Sequence, residues 1–240
     1  MEKERNIRAA FVMEQHLGHL SFYENLRQFV EQSPEIHATW VKVTYEDPDS
    51  PWDRLSFIPK HLRGSLTGRF QIRRGLAQAA YDIALFNTQV PAVLGGKLVS
   101  KQPYILCTDI TPIQYDGMAN QYGHKPDRPG PIQQYKHHAN TRIFQNASRI
   151  LPWSRWTGSS LINDYGVSPD RIEVIAPGID LDIWRPAPKK GTGPLRILFV
   201  GGDFYRKGGD LLIKACEQLP QGMVELHLVT RSSIPQKDWI

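Results

Sequence analysis

Phe199-Val200-Gly201-Gly202-Asp203-Phe204-Tyr205-Arg206-Lys207-Gly208-Gly209-Asp210 decides how this chain is organised. An apolar run from Leu195 to Val200 ends at two glycines. Two cations follow, and two more glycines open a helix that the spacing predicts from about Asp210 to Leu219. Glycine lets backbone approach a ligand closely, and the free N–H groups of a helix start point at it. Arg206 can bind phosphate oxygens in a bidentate way, and Lys207 adds a mobile point charge. An ordinary strand–helix loop with surface cations has the same composition. The stretch lacks the Gly-Lys-Ser/Thr ending of a Walker loop, and it contains no Gly-x-Gly-x-x-Gly.

Downstream, Met223 to Val229 predicts a second strand and the sequence stops soon after, at Ile240. One helix and two strands do not close a core, so residues 195–240 are expected to be the incomplete start of a domain. Upstream, residues 180–194 carry Pro186, Pro188, Lys189, Lys190, Gly191, Gly193 and Pro194, the composition of an interdomain linker.

Residues 1–179 alternate strands and helices. Strands are predicted at Ile7–Met13, Thr39–Tyr45, Asp82–Phe86, Tyr104–Cys107, Ile150–Leu151 and Ile172–Ile175. A capping-box pattern at Ser21 to Glu24 predicts the first helix start. Residues 46–68 and 109–130 read as long loops, with a helix from Arg69 between the first of them and the third strand. This rhythm means an α/β fold: a Rossmann-like, doubly wound parallel sheet with helices on both faces. In such sheets ligands sit outside the carboxyl ends of the strands. The loops holding Gly18-His19, Cys107-Thr108-Asp109 and Trp153-Ser154 are therefore the ones to watch. His19 can orient an acceptor hydroxyl or accept its proton, although a surface histidine beside a helix reads the same way. His137 and His138 are adjacent on a predicted helix and point in different directions, which argues against a shared metal site.

Composition narrows the class. The 240 residues are 40% hydrophobic and 22% charged, as in a soluble globular protein. No apolar run approaches the ~18 residues of a membrane span, and the mixed-charge start Met1-Glu2-Lys3-Glu4-Arg5 does not read as a signal peptide. Cys107 and Cys216 read as buried thiols in a reducing compartment, giving the cytoplasm as the expected location. The net charge of +5 favours anionic partners. The cluster Lys60, His61, Arg63, Arg69, Arg73 and Arg74 reads either as a solvated helix face or as a dock for an anionic membrane surface. No zinc-finger spacing, basic zipper or RNP-type run points to nucleic acid.

The stretch from Trp153 to Pro186 adds a second signature: a Ser before a helix, Tyr165-Gly166 as its stop, a strand, then Pro177-Gly178-Ile179-Asp180 and Trp184-Arg185-Pro186. Together with the glycine-rich stretch that follows, this resembles the crossover between the two domains of glycosyltransferase family 4 enzymes, which have the GT-B fold. The resemblance implies a retaining glycosyltransferase whose first domain holds the acceptor and whose second holds a nucleotide-diphosphate sugar, with reaction between them. It implies that Gly201, Gly202, Arg206 and Lys207 hold the donor diphosphate. Where many members have Gly-Arg after this strand, this sequence has Gly202, so Arg206 is expected to supply that charge from another direction. The family's histidine in the first domain falls at Thr108 or Asp109. The histidine's role therefore does not carry over; Asp109 and His19 are the candidate acceptor-side catalytic groups, and Gly18 belongs to the acceptor-side loop.

The family's paired-glutamate motif would lie beyond Ile240, so the chain is expected to be a fragment of the full enzyme. Asp180-Leu181-Asp182 imitates a metal-binding Asp-x-Asp, but it sits in the interdomain turn that the resemblance explains. No metal or other cofactor is therefore expected besides the nucleotide-sugar donor substrate. The acceptor is left open as a glycan, a lipid or a small molecule. A nucleotide-sugar epimerase of the same fold and a non-catalytic binding fragment are the alternative readings.

Overall fold

The computed structural model describes residues 6–16, 18–186 and 193–234, which form two compact units. The first takes the residues up to Gly117 together with Lys125–Trp184, and the second takes Met118–His124 and the residues from Arg185 onward.

In the first unit, β1 (Ile7–Glu14), β2 (Ile36–Val43), β3 (Ile83–Phe86), β4 (Tyr104–Thr108) and β5 (Arg149–Pro152) form one parallel sheet in the order β2-β1-β3-β4-β5. Between them run α1 (Gly18–Val30), α2 (Lys60–Leu76), α3 (Gln89–Gly95), α4 (Pro112–Gly117), α5 (Ala119–Tyr122, counted with the second unit), α6 (Pro131–Asn146) and, after β5, α7 (Arg155–Asn163). Side chains alternate across a strand, so β1 feeds two cores. Ala10 and Val12 pack in the core that holds Ile72, Ala92, Phe144 and Leu161 of α2, α3, α6 and α7. Ala9, Phe11 and Met13 pack with Tyr23 and Val30 of α1 on the opposite face. Burial on both faces is why β1 reads as an unbroken apolar run. The sheet is doubly wound, as the sequence predicts.

Strand order reverses its direction of growth at β1: the chain steps outward to β2, then returns past β1 to β3. The carboxyl ends of β1 and β3 therefore flank the switch point, where open α/β sheets take their ligands.

Several local expectations need correction. The long loop predicted over residues 46–68 ends early, because α2 starts at Lys60, nine residues before the predicted start at Arg69. Glycines drew that boundary wrongly, since in this helix they permit close packing. A Cβ on Gly75 would stand 2.7 Å from Val41 Cγ2 and closer still to Cγ1, and one on Gly68 would stand 2.7 Å from Cδ1 of Tyr45. Helix α1 starts at Gly18, so Ser21 is an interior residue and caps nothing. Residues 109–130 contain α4 and α5. The strand expected at Ile172–Ile175 is reduced to one bridge from Ile172 to Ile150 and two backbone bonds, Glu173 N–H to Ile150 and Ile175 N–H to Pro152.

The residues after that bridge are fastened to α1. Asn25 Nδ2 donates to the carbonyl of Gly178 at 3.2 Å, and Gln28 Nε2 donates to the Asp180 carboxylate at 3.0 Å. Part of the expected linker, residues 187–192, lies outside the described residues.

The second unit pairs β6 (Leu195–Val200) with β7 (Val224–Val229) in parallel, joined through α8 (Gly209–Glu217). Phe204, Ile213, Cys216 and Leu226 form its core. On the other face, Leu198 and Val200 are about two-thirds exposed.

Candidate functional site

Three loops at the carboxyl ends of the first sheet come together through Trp153. Its N–H donates to the Thr108 carbonyl at 3.0 Å, which ties the end of β5 to the end of β4. Its ring lies 5.6 Å from His19 and 5.2 Å from Phe22, both on α1. The loops of Gly18-His19, Thr108-Asp109 and Trp153-Ser154 thus share one end of the sheet. Asp109 is half-buried, and its carbonyl accepts from the Thr157 hydroxyl at 2.6 Å. Thr108 is fully buried and donates its hydroxyl to Ile110 O, while also lying 3.0 Å from Gln89 Oε1. His19 Nδ1 is buried with no hydrogen-bond partner among the described residues, so one ring nitrogen is left for a ligand or a water. Gly18 is exposed, and a Cβ there would meet nothing within 4 Å.

A larger cavity, about 930 Å³, opens beside these loops at the ends of β1 and β2. Lys60, Arg63 and the imidazoles of His16 and His61 line it, together with the carboxyl groups of Glu14, Glu46 and Asp53. Asp53 is committed to structure: it accepts from the Asp47 N–H and from the Thr67 hydroxyl at 3.0 Å. Glu14 is the informative member. Burial pushes its carboxyl above the ordinary range, opposed chiefly by His19 and, more weakly, by the nearby Tyr45 and Thr88 hydroxyls and His16. A carboxyl held in this way can accept a hydrogen bond from a substrate hydroxyl or take up its proton.

Tyr45 holds the wall of this cavity in a left-handed backbone conformation, φ 62°, a strained state for a bulky residue. Gln71 over-determines it. Its Oε1 accepts from the N–H groups of Thr44 at 3.0 Å and Tyr45 at 3.2 Å, and its Nε2 donates to the carbonyl of Glu46 at 3.0 Å. Gly64 and Gly68 of α2 leave room for the Tyr45 side chain. Burial first, then the Glu14 charge, push the Tyr45 hydroxyl far above its usual pKa. That hydroxyl meets no partner at hydrogen-bonding geometry among the described residues.

In the second unit, the glycine-rich loop joins β6 to α8. Gly208 takes a left-handed φ of 79° at the helix N-cap. Gly209 is dictated by packing: a Cβ would fall inside the Phe204 ring, 2.7 Å from Cζ and nearer still to Cδ2. Gly201 spends its N–H on the sheet, donating to Val229 O at 2.9 Å. Gly202 is exposed, and a Cβ there would meet nothing within 4 Å, so packing does not explain it. Arg206 forms an ion pair with Asp203 at 3.4 Å, and its N–H is bonded to the same carboxylate at 3.1 Å. Lys207 is exposed and has no ion-pair partner among the described residues.

The sequence profile of Glycosyltransferase Family 4 matches residues 31–183, well over half of the chain. The chain belongs to glycosyltransferase family 4. Among curated members, it is 26% identical over 180 residues to the D-inositol 3-phosphate glycosyltransferase of Pseudarthrobacter chlorophenolicus, covering 71% of this chain and 42% of that protein. It is 36% identical over 103 residues to the enzyme of the same name from Xylanimonas cellulosilytica, covering 37% of this chain and 24% of that protein. The chain therefore spans less than half the length of these curated relatives.

Solved structures agree on the fold. Sucrose-phosphate synthase from Thermosynechococcus elongatus superposes with a TM-score of 0.63 at 16% identity, over 92% of this chain and 62% of that one. HepE from Anabaena, solved in complex with UDP-glucose, superposes with a TM-score of 0.52 at 13% identity, over 92% and 60%. A UDP-N-acetylglucosamine 2-epimerase does so with a TM-score of 0.50 at 12% identity, over 93% and 69%. The family member described here accordingly has a GT-B-like α/β fold.

Sequence reasoning passed over Glu14, His16, Tyr45 and Gln71. Glu14 escapes notice because the sequence pattern ends the first strand at Met13, one residue before its observed end. Tyr45 read as the end of the second strand, which stops at Val43. The available signal was position: Glu14 closes the first strand, where ligand-binding groups of such sheets collect.

Proposed function

We propose that this family 4 protein is a retaining glycosyltransferase that moves a sugar from a nucleotide-diphosphate donor to a polyhydroxylated acceptor carrying an anionic group. The observation that carries the acceptor reading is the mixed lining of the large cavity. Lys60, His61, Arg63 and His16 suit a phosphate-type group, while Glu14 and Glu46 suit hydroxyls. The curated relatives, named for inositol 3-phosphate, fit that chemistry. His19 and Asp109 stand at the same end of the sheet and are the candidate groups for handling the acceptor hydroxyl.

On the donor side, Lys207 and the open backbone at Gly202 are the best-placed groups for the diphosphate, with Arg206 joining once it leaves Asp203. Their positive charge would stabilise the negative charge that develops on the leaving diphosphate, which is transition-state electrostatics. No metal enters this reading. Asp180, the first member of the Asp-x-Asp, already accepts from Gln28 and from the Asp182 N–H at 2.8 Å.

The test is a transfer assay on the intact protein with a panel of nucleotide-diphosphate sugars, against inositol phosphates and their dephosphorylated counterparts. Transfer to the phosphorylated acceptors is expected, with a Lys60→Ala, Arg63→Ala variant raising KM for them at least tenfold. Equal turnover of neutral and phosphorylated acceptors would overturn the acceptor reading. The epimerase neighbour supports one alternative. Incubation with donor and no acceptor separates the two, because only an epimerase yields a new sugar nucleotide.

Two further elements belong to this proposal. The buried free thiols Cys107 and Cys216 support a reducing compartment such as the cytoplasm. Among the described residues no helix is long and apolar enough to cross a membrane. The cations of α2 support peripheral contact with an anionic membrane, and failure of the protein to sediment with anionic vesicles would remove that element.

A further inference from the structure

The basic cluster that the sequence shows as one run is divided by the fold into three parts. Lys60, His61 and Arg63 line the large cavity described above. Arg74 is neutralised: it pairs with Asp47 at 2.9 Å and Asp49 at 3.4 Å, and stacks over Phe70. Arg69 and Arg73, one helical turn apart on α2, line a different cavity of about 400 Å³. Lys97, just past α3, and Arg142 of α6 complete it, with Tyr135 of α6 on the rim.

No carboxylate lines this second cavity. Its four cations converge from three separate segments, and among the described residues none of them is engaged in an ion pair. Convergence of like charges costs folding free energy, and among the described residues no carboxylate lining this cavity offsets it. A solvated helix face would scatter such charges or intersperse acids. Three guanidinium groups present planar forks that match phosphate oxygens, and the Lys97 ammonium adds a point charge. The volume is sufficient for a di- or triphosphate-sized group.

We propose that this cavity, walled by α2, α6 and the turn after α3, is a second anion site that takes a multivalent phosphate group through Arg69, Arg73, Arg142 and Lys97. It is separate from the proposed acceptor cavity, although Leu94 lines both. A soluble polyphosphorylated molecule and the phosphorylated headgroup of a lipid offer the same chemistry.

The test titrates the chain with sodium tripolyphosphate by calorimetry, and in parallel sediments it with vesicles of phosphatidylcholine, with and without a phosphoinositide. Three proteins are compared: the wild type, an Arg69→Gln, Arg73→Gln, Arg142→Gln variant, and the same three positions changed to Lys. The expected result is binding by the wild type in at least one arm, weakened at least tenfold in the Gln variant and only partly in the Lys variant. The Lys variant keeps the charge, so it distinguishes lost recognition from a damaged fold. Because Lys60 and Arg63 line the proposed acceptor cavity, the comparison is repeated in a Lys60→Gln, Arg63→Gln background, where changing Arg69, Arg73 and Arg142 to Gln should still remove the remaining binding. Binding in the tripolyphosphate arm alone identifies a soluble ligand, and binding in the vesicle arm alone identifies a headgroup. No binding in either arm, or equal binding by the wild type and the Gln variant, would overturn the proposal.

Discussion

Asn87 clamps the backbone of Glu14 from both sides: its Oδ1 accepts from the Glu14 N–H at 2.8 Å, and its Nδ2 donates to the Glu14 carbonyl at 3.0 Å. The last paired residues of the two strands are Val12 and Phe86, so this fully buried amide extends the β1–β3 pairing past the end of the ladder. It fixes the switch point of the sheet and, with it, the carboxyl group that faces the large cavity. Asn87→Ala would strand a backbone donor and acceptor. It should cost about 1–3 kcal/mol, measured as a lower denaturation midpoint with an unchanged denaturant slope. Full retention of stability would show that water replaces the clamp.

The large cavity is lined in part by α2, and among the glycines of that helix Gly75 leaves the least room against the sheet. Gly75→Ala should destabilise by about 1–3 kcal/mol through overpacking. Val41→Ala in the same chain should recover part of that loss, because Val41 is the side chain the new methyl would strike. Additive losses in the double variant would show that the strain lies elsewhere.

Glu14 makes stability depend on pH in a definite direction. Its folded-state pKa is raised above the ordinary 4.5, chiefly by burial, so folding favours the protonated form. That contribution is complete below the ordinary value and is lost as pH rises through the raised one. Glu14→Gln keeps a neutral side chain, so its thermal midpoint should exceed the wild type's near neutral pH, and the gap should close at about pH 4. A gap that is absent or independent of pH would contradict the account.

Cys107 tests the core from the other direction. Burial pushes its thiol up to about 12, and it is buried in the native fold. Under native conditions it should resist a thiol-specific reagent and react fully only on denaturation. Rapid native labelling at Cys107 would show that the end of β4 opens readily.

The strand–helix rhythm was legible because each buried strand of a parallel sheet is an apolar run, and those runs matched the five strands of the first sheet. The family was legible from Pro177-Gly178-Ile179-Asp180, whose Gly178 and Asp180 turn out to bind α1. The start of α2 was not legible, because Gly64 and Gly68 look like loop residues until Tyr45 is seen packing over them. The large cavity was missed for a related reason. Glu14, Tyr45 and Lys60 are brought together by the parallel crossovers and the length of α2, and no local spacing records that. Arg206 and Lys207 both read as free cations in the sequence, yet one is paired with Asp203 and the other stands free of ion pairs among the described residues.

Donor binding tests the central claim most directly. Calorimetric titration of the intact protein with nucleotide-diphosphate sugars should reveal one donor that binds, and the Arg206→Ala, Lys207→Ala variant should bind it at least tenfold more weakly, about 1.4 kcal/mol. Lys207→Ala alone should account for most of that loss, since Arg206 must first leave Asp203. Unchanged donor affinity in the double variant would contradict the assignment of this loop to the diphosphate, and with it the proposed glycosyltransferase mechanism.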